Sequence, residues 1–376
     1  MRGPLARIRV AGGTSRASMR PLLPSCAAAS LLLVACASSP PPPPAPVAAP
    51  PPAPVAAPVT APPPAPEDAA VVAPQDAATE PTHAASPPDD APAPAVASTE
   101  RVRMYRGRSE DEWVRLMNER PVVRTIARYH STLYVFHMDL GDGVEISFQP
   151  EQTRLESFWR REITSYHLAR LLGIENRVPP TIGKRVPLSA FGRLGRGTNL
   201  VVDREGMVYG SASVWVPVLH GAQMHEAPAR REWSGWMNPA NPIPERVRER
   251  ARQVAEVLVF DYLAANYDRW NCCNIAVDEN SDLVFRDNDA GWLPRVINTL
   301  GSPGVTRRVP RYLWESLQRA TPEALRASVA RDPMAGRVHL VASGAYEGYE
   351  RRRQAMIANL RRMIARYGEA AVLAWP

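Results

Sequence analysis

Proline placement constrains this chain before anything else. Of its 40 prolines, 21 lie between Pro40 and Pro94. Proline fixes φ, withholds a backbone donor and favours polyproline II, so this stretch builds no helix, sheet or core. Residues 36–100 are Pro/Ala low complexity and read as a disordered, semi-rigid linker. At about 3.1 Å per residue such a tether reaches on the order of 190 Å. The folding material is the 276 residues from Arg101 to Pro376, ample for one large or two-lobed domain. Four cysteines exclude a disulfide scaffold, and past the N-terminus no apolar run is long enough to span a bilayer.

Charge is just as uneven. Residues 1–35 carry five arginines and no acid, and residues 36–100 carry seven acids and no base. That leaves 40 basic and 31 acidic residues in 101–376, nearly all of the positive charge being arginine, since Lys184 is the one lysine. A surplus of this sign suits an anionic partner such as nucleotide, phosphate or lipid headgroup. It equally suits a GC-rich genome that favours arginine codons, so charge alone decides nothing.

The N-terminus reads as an address. Arg16 and Arg20 precede an apolar run from Ala27 to Ala35, which ends Leu33-Val34-Ala35-Cys36. A basic region, a short apolar region and small residues before a cut make a secretory signal, too short for a membrane span. The Leu-x-Ala-Cys ending resembles the bacterial lipobox, which implies a lipoprotein signal peptide over 1–35 and lipidation of Cys36. Ala37 after the cysteine is similar to lipoproteins sent to the outer membrane. The expected place is the bacterial cell envelope, with the membrane a partner through the lipid anchor and no nucleic acid among the partners.

In the remainder, Thr132 to Met138, the Asp142-Gly143 turn and Val144 to Phe148 spell a hairpin. Phe158, Ile163, Tyr166, Leu168, Leu171 and Leu172 recur at helical spacing before a stop at Gly173. An extended segment starts at Val178-Pro179-Pro180, and a strand reads from Met207 to Leu219, ending near Pro217. Further helices are expected from about Glu245 to Ala265 and through Met356, Leu360, Met363, Ile364 and Tyr367 to Gly368. Strands with one helix, then mostly helices, make an α+β arrangement of two lobes.

The chemistry concentrates between Phe260 and Trp292. A helix runs into a polar loop holding Asn266, Asp268, Arg269, Asn271 and Asn274, and a short apolar strand, Leu283-Val284-Phe285, then delivers Asp287, Asn288 and Asp289. A loop carboxylate, a loop carboxamide and a carboxylate after a strand are what phosphoryl transfer needs: one group for the hydroxyl's proton and two hard oxygen ligands for a metal on the phosphates. A polar turn whose side chains cap one another has the same composition. Cys272-Cys273 sits inside this loop, as a vicinal disulfide or two buried thiols. His130 and His167 lack metal-ligand spacing, and Trp215, Trp233, Trp236 and Trp314 read as core or as a groove lining.

The order Asp261-x-x-x-x-Asn266-x-Asp268-Arg269, then Asp287-Asn288-x-x-x-Trp292, resembles the kinase-like superfamily of the phosphoinositide kinases and the secretory-pathway kinases of the Golgi casein kinase family. Those carry D-x-x-x-x-N-x-D-R-H and then D-N-G-x-x-F. Upstream, Phe148-Gln149-Pro150 sits where the second group has Phe-Lys-Pro. The segment Glu162 to Leu172 is similar to its glutamate-bearing helix, and Arg177-Val178-Pro179-Pro180 comes after it as in that family. The matches cover most of residues 135–295. The resemblance implies a two-lobed protein kinase-like fold, with a small β-rich N-lobe holding one helix (about 101–220) and a larger, mostly helical C-lobe (about 221–376). It implies ATP or another nucleotide with Mg²⁺ or Mn²⁺ as cofactors, and a protein or glycan hydroxyl as acceptor. Asp268 is then the catalytic base, Asp287 a metal ligand with Asn274 (or Asn271) as the second, Gln149 and Glu162 the nucleotide-side pair, and Asp261 and Asn266 loop braces.

Four positions depart from the family. Gln149 stands for the lysine that grips the phosphates, Trp270 for histidine and Asp289 for glycine, and the Asp139–Gly143 turn would face two acids toward the nucleotide. Lys184, Arg154 and Arg161 are candidate substitutes for the missing charge. Three functional readings are open: a lipid-anchored extracytoplasmic kinase, a pseudokinase that binds nucleotide or protein, and a structural envelope lipoprotein.

Overall fold

The computed structural model describes residues 103–130, 132–154, 158–217, 220–269, 274–292 and 303–375. The signal segment, Cys36, the Pro/Ala linker, Trp270, Asn271 and the Cys272-Cys273 pair lie outside the described residues.

Strands β1 (Met104–Tyr105) and β2 (Arg108–Ser109) pair antiparallel and lead into α1 (Glu110–Glu119). Helix α1 starts where Ser109 Oγ accepts the Glu112 N–H at 3.2 Å, and Glu110, Asp111 and Glu112 place negative charge in its first turn. At its other end Lys184 closes the helix, donating from Nζ to the carbonyls of Met117 at 2.6 Å and Arg120 at 2.8 Å.

Next come β3 (Arg124–His130), β4 (Tyr134–Asp139), β5 (Glu145–Pro150), α2 (Phe158–Leu172), β6 (Thr181–Pro187) and β7 (Met207–Val214). The five strands form one antiparallel sheet in the order β3-β4-β5-β7-β6. Register aligns Phe136, Phe148, Ala212 and Ile182 across four strands, and this face is buried with Trp113, Leu116 and Met117 of α1. Side chains alternate along a strand, so Gln149, next to Phe148, turns to the opposite face.

The Asp139–Gly143 turn requires a correction. It joins β4 to β5 where Asp139 faces Glu145, at the end of the sheet away from Gln149. Its acids are answered by arginines, Asp139 by Arg124 and Asp142 by Arg120, both at 3.1 Å. They therefore lie four residues along β5 from Gln149 and not beside it.

The larger lobe holds β8 (His220–Gly221), α3 (Ala227–Trp236), α4 (Arg248–Ala264), β9 (Ile275–Val277), β10 (Leu283–Phe285), α5 (Arg311–Arg319), α6 (Pro322–Val329), α7 (Ala345–Tyr367) and α8 (Glu369–Val372). Sequence spacing gives α4 one apolar face, yet every residue from Gln253 to Ala264 is buried, which makes it the central helix of the lobe. Helix α2 is buried without a break from Glu162 to Ala169, and its apolar residues share one core with α4, α5 and α7. The strand read from Met207 to Leu219 stops at Val214. Trp215 still donates to the Glu145 carbonyl at 3.0 Å, but Pro217 has no N–H with which to extend the ladder. Among the described residues no helix is long and apolar enough to cross a membrane.

Lys184 is 7 % exposed, and burial lowers its ammonium to about 8. Replacing it as Lys184→Met strands the carbonyls at the end of α1. The variant should lose about 1–3 kcal/mol of stability, measured by urea unfolding, as a structural cap would and a cleft residue would not.

Candidate active site

The loop after α4 is organised by one buried guanidinium. Asp261, near the end of α4, and Arg269, eight residues later, are both 0 % exposed. Arg269 Nε lies 3.0 and 3.1 Å from the two Asp261 carboxylate oxygens. Its Nη1 donates to the Asn274 carbonyl at 2.8 Å and to the Arg286 carbonyl, and its Nη2 donates to Asn288 Oδ1. A single side chain therefore joins α4, the loop before β9 and the segment after β10. Burial pushes the Asp261 carboxyl up to about 6, against the pull of the Arg269 charge.

Around this anchor the backbone makes unusual turns. Ala265 leaves α4 at φ 55° and Asp287 leaves β10 at φ 51°, both left-handed, a region in which aspartate is among the more tolerant side chains. Gly291 passes so close to the end of α4 that a Cβ there would stand 2.6 Å from the Ala264 oxygen. Trp292 Nε1 then donates to Ser165 Oγ at 2.8 Å, and Ser165 donates to the Asn288 carbonyl at 3.1 Å, fastening the segment to α2.

Asp268 is held by its neighbours. Its N–H donates to Asn266 Oδ1 at 3.0 Å, and Asn274 Nδ2 donates to its carbonyl at 3.0 Å and its Oδ2 at 3.1 Å. Glu162, three residues before Ser165 and on the same face of α2, accepts from Asn288 Nδ2 at 3.3 Å. Burial first, then the negative charges of Asp289 and Asp287, push the Glu162 carboxyl up to about 8, with Arg269 opposing. Asp289 is pushed up to about 6, by burial above all, with Asp287 and Asp268 adding to the rise and Gln149 and Arg161 opposing it. Four carboxylates thus share one cluster: Glu162, Asp268, Asp287 and Asp289.

The sequence singles out Asp268, Asn274, Asp287, Glu162 and Gln149, and the fold brings all five to this place. What the sequence does not disclose is how they connect. Gln149 Nε2 donates to Asp289 Oδ2 at 2.7 Å, so two of the four departures from the family pattern bond to each other. Asn288 carries no role in the sequence reading, yet it bridges Arg269 and Glu162. Lys184 is turned to the carbonyls of α1 and contributes nothing to the cluster. His167, bonded to Ser328 Oγ at 2.9 Å and lowered by burial to about 3, is a neutral core histidine. Trp233 is core, and Trp215 stacks on His137 at 3.8 Å.

Among the described residues no three His, Cys, Asp or Glu side chains are grouped so that they could hold a metal ion by themselves. The donor set nonetheless fits a hard divalent cation. It consists of carboxylate and carboxamide oxygens, and burial first, with repulsion from neighbouring acids adding to it, raises Glu162 and Asp289. A cation would relieve that repulsion.

No family model matches the chain. Among curated proteins, Four-jointed box protein 1 of Xiphophorus maculatus is 31% identical over 160 residues, 36% of this chain and 37% of the relative. The Homo sapiens protein of that name is 28% identical over 173 residues, 39% of this chain and 38% of the relative. The chain therefore spans less than two fifths of the length of these relatives. Among solved structures, the Golgi casein kinase with Mn and ADP bound matches at a TM-score of 0.51 and 17% identity, over 70% of this chain and 78% of that one. The hydra Fam20 with sugar matches at 0.51 and 15%, over 69% and 90%. At these identities it is the fold that is shared: the chain has the two-lobed, kinase-like fold of the secretory-pathway kinases, with a β-sheet lobe and a helical lobe.

Removing Asp261 leaves a buried guanidinium without its counter-charge. Asp261→Ala should cost about 3–5 kcal/mol, read by urea unfolding. Glu162 gives a pH signature. Its folded value, about 8, lies above the ordinary 4.5, so the folded chain binds the extra proton. That contribution is complete below about pH 4.5 and is lost as pH rises through about 8. Melting temperature should fall over this window in the wild type and fall less steeply in Glu162→Gln.

Proposed function

We propose that the chain is an extracytoplasmic, membrane-anchored phosphotransferase that moves a phosphoryl group from a nucleotide such as ATP to a hydroxyl on a protein or a sugar. The observation that carries this reading is the convergence of Glu162 from α2 with Asp268, Asp287 and Asp289 on a loop braced by Arg269. Asp268, held by Asn266 and Asn274, would orient the acceptor hydroxyl and take its proton. Asp287 and Asn274 would hold Mg²⁺ or Mn²⁺, with Oδ1 the ligating atom of Asn274 because its Nδ2 serves Asp268. Bound there, the cation would neutralise charge on the phosphates. Glu162, through Asn288, and Gln149, through Asp289, position this acidic loop from the sheet side. The Mn, ADP and sugar in the neighbouring structures make these the first ligands to test. A signal segment over residues 1–35, followed by Cys36 and a long Pro/Ala linker, supports a lipid anchor in a bacterial envelope, in the outer membrane, with the domain held away from the bilayer.

A second reading has its own observation. Gln149 gives an amide to Asp289 rather than a cation to Glu162, as in a pseudokinase that binds nucleotide without transferring phosphate.

The full chain in detergent, with radiolabelled ATP and Mn²⁺, should label itself or a generic acceptor such as casein or a simple glycoside. Asp268→Ala should reduce the transfer by about 10²- to 10⁴-fold while ATP and Mn²⁺ still raise the melting temperature. A thermal shift without transfer in the wild type would select the pseudokinase. No shift at all would overturn both readings.

A further inference from the structure

A cluster of carboxylates that receives a polyphosphate needs a cation within reach, and the sheet supplies none, because Gln149 is neutral and Lys184 is committed to α1. Arg154 lines a separate cavity of about 230 Å³ with His130, Tyr134 and Gln152, and no acid of the cluster borders it. Arg269 is 0 % exposed, and its donors all go to Asp261, Asn274, Arg286 and Asn288.

Arg161 is placed differently. It leaves α2 one residue before Glu162, is only partly buried, and lies over the Phe158 ring at 4.3 Å. Its Nη1 donates to the Asp289 carbonyl at 3.2 Å, and among the described residues this is its one hydrogen bond. The negative charge that acts on it is that of Asp289. The guanidinium therefore stands beside the acidic segment after β10. A guanidinium with unused donors in a fixed fork is the side chain best suited to phosphate oxygens.

We propose that Arg161 grips the terminal phosphate of the bound nucleotide, so that the positive charge absent from Gln149 on β5 is delivered from α2. This rests on the phosphotransferase reading. Asp289 then has two partners with separate tasks: Gln149 holds its carboxylate, and Arg161 braces on its carbonyl and extends to the ligand.

The test is calorimetric titration of the full chain with Mn·ATP and Mn·ADP, comparing wild type, Arg161→Gln and Arg161→Lys. Arg161→Gln should weaken Mn·ATP by about 10- to 100-fold, the worth of one charge-assisted hydrogen bond, and Mn·ADP by clearly less. Arg161→Lys should lie between wild type and Arg161→Gln, and the melting temperature without ligand should not change. Wild-type affinity in Arg161→Gln would overturn the inference and leave the phosphotransferase reading standing. Equal losses for both nucleotides together with a lower melting temperature would overturn it too, making Arg161 only a brace for the Asp289 segment. If the wild type bound neither nucleotide, the phosphotransferase reading would fall first and this inference with it.

Discussion

Everything at the candidate site depends on the ion pair between Asp261 and Arg269. Both groups are removed from water, which costs several kcal/mol per ion, and the cost is offset only when every donor finds an acceptor. Arg269 meets that condition: its donors go to one carboxylate, two carbonyls and one carboxamide on three separate segments. The pair thus stabilises little by itself but specifies much. Once α4 is packed as the central helix, the position of Asp261 dictates where the loop must lie. The loop in turn dictates where Asn274 and Asn288 can stand.

The electrostatics are a consequence of that frame. Asp268, Asp287 and Asp289 are delivered by the braced loops, and Glu162 arrives on a helix buried in the same core as α4. Burial above all, with the neighbouring negative charges adding to it, raises the Glu162 carboxyl to about 8 and that of Asp289 to about 6. The Gln149–Asp289 hydrogen bond fits the same logic, because an amide facing a carboxylate keeps the sheet joined to the loop without a lysine. Taken one at a time, glutamine for lysine and aspartate for glycine each look like damage. Bonded together, they are a rewired contact.

Much of this was legible in the sequence because the informative residues are consecutive. The β4–β5 hairpin follows from a turn signal between alternating strands, and α2 follows from helical spacing closed by Gly173. The Asp268, Asn274 and Asp287 group follows from the order of polar residues around one short strand. The features that escaped have a common cause. Strand β3 reads Arg-Thr-Ile-Ala-Arg-Tyr-His, an edge strand mostly open to water, with no clean alternation to mark it. Helices α1, α5 and α6 are short, and although Ser109 and Thr321-Pro322 are readable starts for α1 and α6, no long apolar period follows them. The Asp139–Gly143 acids were misplaced because a turn's position along a sheet is set by register, which becomes visible only when strands pair. The roles of Asn288 and Arg269 join residues from distant parts of the chain, and no local pattern announces such contacts.

The central proposal is that Asp287 and Asn274 hold a divalent cation together with a nucleotide. Electron paramagnetic resonance of Mn²⁺, titrated into the full chain with ADP present, tests it without requiring turnover. The account predicts that the six-line signal of free aqueous Mn²⁺ is suppressed in proportion to protein, and that Asp287→Ala restores it. A free-ion signal that the wild-type chain leaves untouched, with ADP or without, would contradict the account.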